Sequence, residues 1–142
     1  MDDMNYYNTL IAVADDCPIT GSVTPAPRGG KKTVAVLQYE MLAERPNELT
    51  QEEVLFESWW ARQEAAGDVP DSEVALLRKE FFAKPQACLR ASPLPKKYGW
   101  GLLFDERGTV ALCPMESAMY RDLVEGGKPD LTVLKAMRSS RK

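Results

Sequence analysis

Residues 98–113 read YGWGLLFDERGTVALC, two apolar runs joined by Asp105-Glu106-Arg107-Gly108. Asp at the first turn position and Gly at the fourth suit a type I turn closed by a glycine bulge, so the stretch predicts a β-hairpin of 98–105 with 109–113. With Gly108 as the bulge residue, Asp105 stands opposite Thr109. The two-residue period of a strand then pairs Phe104 with Val110 and Leu102 with Leu112, and puts Trp100 and Tyr98 on the same, core-facing side. The other side carries Gly99, Gly101, Leu103, Ala111 and Cys113. Glycine inside a strand marks close approach by another backbone or by a ligand. Two readings of this small-residue face are open: a helix packs tightly on it, or it floors a ligand site edged by Arg90, Lys96 and Lys97.

Working outward from the hairpin, NTLIAVA at 8–14 is a short apolar run closed by Asp15, Asp16 and Pro18, which predicts a buried strand. Residues 17–32 hold three prolines and three glycines without a period, a loop long enough to carry function or to be partly disordered. Val34, Leu37, Met41 and Leu42 follow helical spacing and predict a helix over 33–45, stopped by Pro46 and Asn47. Thr50 and Glu53 form a capping-box pattern that opens a second helix, 51–66, with Leu55, Phe56, Trp59 and Trp60 as its apolar stripe and Gly67 as its stop. A third helix runs from Pro70-Asp71-Ser72 through Leu77 and Phe81 to Pro85. Residues 86–91, QACLRA, read as a strand, 115–125 as a short helix ended by Gly126-Gly127, and 131–137 as a last strand. The order β-α-α-α-β-β-β-α-β predicts an α+β fold, a mostly antiparallel sheet with helices packed on one face.

The 142 residues suffice for one domain with its own core, with a long loop at 17–32 and a basic tail at 138–142. An apolar fraction of 44% and a charged fraction of 27% are those of a globular protein. No apolar run approaches the ~18 residues of a membrane span, and the start MDDMNYYN lacks the basic-then-apolar pattern of a secretory leader, so a cytoplasmic location is expected. Cys17, Cys88 and Cys113 are odd in number and far apart, which speaks against a disulfide framework or a zinc site. There is no histidine, which removes Ser–His and Cys–His nucleophile systems. No metal site and no cofactor motif is expected. Charge is uneven: residues 1–70 carry 5 basic and 12 acidic groups (−7), residues 71–142 carry 13 basic and 9 acidic (+4). The second half therefore admits an anionic partner.

RGGKKT at 28–33 puts two glycines and two lysines just before a helix start. Free N–H groups there, with Arg28, Lys31, Lys32 and Thr33, suit a phosphate or a carboxylate. It is not a Walker loop, which would need Gly at 25 and Ser or Thr at 32, where the chain has Pro25 and Lys32. The plainer alternative is a solvated basic loop with Thr33 as an ordinary cap. Lys96 and Lys97 beside Tyr98 and Trp100, with the tail KAMRSSRK, have the composition of a single-strand nucleic-acid groove, although the hairpin register sends both aromatics to the core.

The segments NYYNTLIAVADDCP, KKTVAVLQYEML, CLRASPLPKKYGWG and KAMRSSRK resemble, in this order and at this chain length, a family of small bacterial proteins known only as a domain of unknown function. The resemblance implies a complete one-domain protein and brings no activity, substrate or catalytic residue with it. The residues themselves favour a non-enzymatic protein that binds a small anionic or nucleotide-like ligand through Arg28, Lys31, Lys32, Thr33, Arg90, Lys96, Lys97, Gly99, Gly101 and Arg138. The alternatives are a nucleic-acid-associated protein using Lys96, Lys97 and the tail, and an enzyme using carboxylate, lysine or tyrosine as acid and base. Oligomeric state is left open.

Overall fold

A four-stranded sheet in the order β3-β2-β1-β4 organises the fold, with β1 at Thr9–Ala12, β2 at Trp100–Phe104, β3 at Val110–Pro114 and β4 at Thr132–Lys135. A computed structural model describes residues 5–63 and 69–138. The predicted helix stop at Gly67 and tail residues 139–142 lie outside them. The hairpin has the predicted register: Phe104 pairs with Val110, Leu102 with Leu112 and Gly101 with Cys113. At its turn, Asp105 N–H donates to the Thr109 carbonyl at 3.0 Å, and Gly108 takes φ +83°, a left-handed conformation that an L side chain rarely adopts. The Asp105 carboxylate closes the turn, accepting from the N–H groups of Arg107 and Thr109 and from the Thr109 hydroxyl at 2.6 Å. Burial works to raise its pKa, but these hydrogen bonds and the Arg107 charge outweigh it and hold it below the usual carboxylate value.

β1 is a continuous apolar run because it is covered on both faces. Ile11, Leu102, Phe104 and Val110 face one side, where they meet Ala35, Leu42, Leu49, Val54, Leu89 and Leu94 from the helices that precede the hairpin and the segments between them. Those helices are α1 (Val34–Glu44), α2 (Gln51–Trp60), α3 (Asp71–Ala83) and the short α4 (Pro93–Lys97). Thr50 and Glu53 form the expected reciprocal capping box. α3 buries no residue fully and joins the fold through Phe81, which packs on Phe56 and Trp59 at ring-centroid distances of 5.7 and 5.0 Å.

Three expectations are corrected. The sheet is mixed, since β1 pairs antiparallel with β2 but parallel with β4. The cause is α5 (Ala118–Val124), which carries the chain from β3 at one edge across the sheet to β4 at the other; such a crossover returns a strand parallel to its start. Helices therefore cover both faces. α5 lies on the face opposite α1, where Leu123 and Tyr120 pack with Leu10, Leu103 and Cys113. Finally, no strand forms at 86–91; Leu89–Ala91 is a 3₁₀ turn leading into α4, so the element order is β-α-α-α-α-β-β-α-β. Buried Gln51 accepts the Leu89 N–H at 2.7 Å, taking a donor that a ladder would have used. Ser92 then caps α4, and Pro93 and Pro95 sit in its first turn, where a missing N–H costs nothing.

Both sheet edges are covered in part. Leu49 and Asn47 bond the outer backbone of Val110, and Pro114 lacks a donor at the other end of β3. On β4, the Arg90 Nε–H donates to the outer carbonyl of Lys135 at 2.9 Å.

Candidate anion-binding groove

The 17–32 loop is held at its middle. Val23 N–H donates to the Tyr98 carbonyl, Trp100 Nε1–H to the Val23 carbonyl, and Ser22 gives both its N–H and its hydroxyl to the Glu116 carboxylate. Beyond this anchor, Arg28 and Lys31 exchange backbone hydrogen bonds of 2.9 and 3.0 Å around Gly29 and Gly30, whose φ values are +57° and +79°. This tight turn delivers the chain to Thr33, whose hydroxyl accepts from Val36 N–H and caps α1.

The turn overhangs a depression of about 680 Å³ lined by Arg28, Lys31, Lys32, Thr33, Val34, Leu37, Ala61 and Arg62. Among the described residues that line it there are four cations and no carboxylate. Glu40 pairs with Lys32 Nζ at 2.8 Å, and that hydrogen bond raises the lysine pKa. Among the described residues no ion pair ties up Arg28, Lys31 or Arg62. The first turn of α1 has no acidic residue, whereas α2 has Glu52 and Glu53 and α3 has Asp71 and Glu73 in theirs. The positive end of the α1 dipole thus has no acidic side chain in its own first turn.

The other sequence-predicted residues divide. Lys97 lines a smaller depression of about 210 Å³ that shares Arg28, Thr33 and Val34 with the first, so it lies beside the RGGKKT turn. Lys96 lies on α4 and lines neither. Arg90 is committed elsewhere: its side chain reaches β4, and its carbonyl accepts from Met137 N–H, next to Arg138; neither arginine lines the depression beneath the RGGKKT turn. Gly99 and Gly101 belong to packing. A Cβ on Gly101 would stand 3.0 Å from the Tyr120 ring, and one on Gly99 would stand 2.9 Å from Met115 Sδ and 3.0 Å from the Gly21 carbonyl. At Gly101 the first of the two readings holds, since α5 covers it; Gly99 is covered by Met115 and the backbone of Gly21 and Ser22. Tyr98 and Trp100 pack partly against the core cluster; the Trp100 ring meets Tyr39 at 5.3 Å, and Tyr98 also lines the smaller depression with Lys97.

Arg62 is not among the sequence-predicted site residues; it falls within the stretch read as helix over 51–66, whereas α2 ends at Trp60. No period or motif marks it; only the packing of α2 beside α1 brings it to the RGGKKT turn.

Along α1 toward its C-terminus a second depression, of about 340 Å³, shares Val34 and Arg62 with the basic one. Its walls are Leu55, Trp59 and Phe81, and its polar lining includes Gln38, Ser58, Gln86, Cys88 and Ser92. Ser92 Oγ–H donates to Gln38 Oε1 at 2.6 Å, and Gln38 Nε2 donates to Ser58 Oγ at 3.4 Å. Cys88 Sγ accepts from the Tyr6 hydroxyl at 3.4 Å; burial, then this bond, pushes the Tyr6 pKa up to about 12.

The fold and this groove define a small α+β protein with a four-stranded mixed sheet and a cation-lined cleft at a helix start. By sequence the chain belongs, over residues 1–142, to the family of unknown function DUF6157. No curated protein and no solved structure matches it. Among the described residues no helix is long and apolar enough to cross a membrane, and no group of three metal-ligating side chains comes together.

Proposed function

We propose that the protein binds a small organic anion, bearing a phosphate or a carboxylate, in the depression beneath the RGGKKT turn, and that it does so as a binding protein without chemistry of its own. One observation carries the reading: Arg28, Lys31 and Arg62 converge, free of ion pairs among the described residues, on the N-terminus of a helix whose first turn holds no acid. Cations and helix N–H groups acting together make such a terminus an anion site. The depression, at about 680 Å³, falls within the range of about 300–1,000 Å³ that small-molecule sites occupy. Arg28 and Arg62 suit planar, bidentate contact with a carboxylate or a phosphate, and Lys31 acts as a point charge.

Calorimetric titration with inorganic pyrophosphate tests this. The wild-type protein is expected to bind, and Lys31→Ala and Arg62→Ala each to weaken binding at least tenfold, with Lys128→Ala as an unaffected control. Absence of binding, or equal affinity in all four proteins, contradicts the reading.

A further inference from the structure

Resting on that reading, we infer that the anion is a mononucleotide, with its phosphate beneath the RGGKKT turn and its base in the adjoining depression against Trp59. Three observations support this. The two depressions adjoin, with Val34 and Arg62 in the linings of both, so a phosphate in one lies beside the space of the other. The wall of the second is aromatic, with Trp59 and Phe81 packed at 5.0 Å; this suits a flat ring, since bases stack on aromatic side chains.

The third is the hydrogen-bonding inventory of its lining. Gln38 is only 3% exposed, yet it lines the depression and spends one Nε2 proton, at 3.4 Å, on Ser58; the other amide proton has no partner among the described residues. Gln86 spends its Nε2 on the Phe81 carbonyl at 2.7 Å, and its Oε1 accepts no hydrogen bond among the described residues. One donor and one acceptor on the walls of an aromatic slot match the edge of a heteroaromatic base. An acyl chain would leave both groups desolvated and unpaired, an unfavourable outcome.

Titrations with adenosine 5′-monophosphate, uridine 5′-monophosphate, ribose 5-phosphate and pyrophosphate, followed by calorimetry, separate this inference from the anion reading. At least one nucleotide is expected to bind tenfold or more tighter than ribose 5-phosphate. Trp59→Ala is expected to abolish that ratio while ribose 5-phosphate affinity stays unchanged. Gln86→Leu, at a half-buried position on the wall, is expected to reduce the ratio, and it guards against misfolding of the tryptophan variant. Ribose 5-phosphate binding as tightly as both nucleotides overturns the base site and leaves the anion site standing. A nucleotide preference that survives both substitutions also overturns it, because the base then lies elsewhere. Failure of all four probes, pyrophosphate included, overturns both.

Discussion

The ring of Tyr120 occupies the space that a side chain at position 101 would fill: a Cβ on Gly101 would lie 3.0 Å from Tyr120 Cε2. The same tyrosine reaches past the glycine to accept the Val13 N–H at 2.8 Å. One residue of α5 thus locks the crossover helix to β2 and to the end of β1. Gly101→Ala should push that ring away and destabilise the protein by about 1–3 kcal/mol, the usual cost of overpacking. Tyr120→Phe keeps the ring but strands a backbone donor, at a cost of about 1–3 kcal/mol. Urea unfolding of the two variants checks both, and a Gly101→Ala protein as stable as wild type would refute the packing role.

Gln51 is fully buried, and its Oε1 accepts from Leu89 N–H at 2.7 Å, which ties α2 to the 3₁₀ turn. Gln51→Leu conserves bulk but leaves that N–H without a partner in the core. A loss of about 1–3 kcal/mol is expected from the stranded donor. Accelerated amide exchange at Leu89 in the variant would show that the loss arises there.

Stability should depend on acid through the hairpin turn. Hydrogen bonds from Thr109 and Arg107 hold Asp105 below its ordinary pKa despite its burial. A depressed carboxylate stabilises the fold fully above its unfolded value of about 3.9, and that contribution is lost as pH falls through the lower folded value. Asp105→Asn should therefore lower Tm at neutral pH, with the gap from wild type closing once both carboxyl states are protonated. A gap that stays constant from neutral pH down through the carboxylate range would exclude this account.

The hairpin was readable because Asp105 and Gly108 are turn chemistry with a fixed offset, and the alternation that follows needs no tertiary information. The capping box at Thr50 and Glu53 was readable for the same reason. Residues 86–91 were not: CLRA has strand-like residues, but its conformation is decided by Gln51, nearly 40 positions away, whose amide takes the Leu89 donor. The parallel pairing of β4 likewise depends on α5 crossing the sheet, and a seven-residue helix leaves little trace of its route. In the groove, Arg28 to Thr33 could be found from local spacing. Arg62 could not, since only the packing of α2 brings it there. Arg90 and Arg138 looked equivalent to Lys31 by charge alone, and the register of β4 separated them.

The groove should respond to ionic strength. Its contacts are charge-assisted but open to solvent, and salt screens such charges over about 10 Å at 0.1 M. Pyrophosphate affinity is expected to fall several-fold between about 0.05 and 0.2 M sodium chloride. Lys31→Ala should show a shallower dependence, since it removes one of the cations concerned. An affinity independent of salt would mean that the contacts are not those lining this depression.

The central claim is where the anion sits, and backbone amide NMR during titration with inorganic pyrophosphate tests it most directly. The expected result is saturable shifts at Gly29, Gly30, Val34, Ala35 and Arg62, with Arg90, Lys135 and Arg138 unmoved. Saturable shifts centred on Arg90 and Arg138, or none at the RGGKKT turn at saturation, would contradict it.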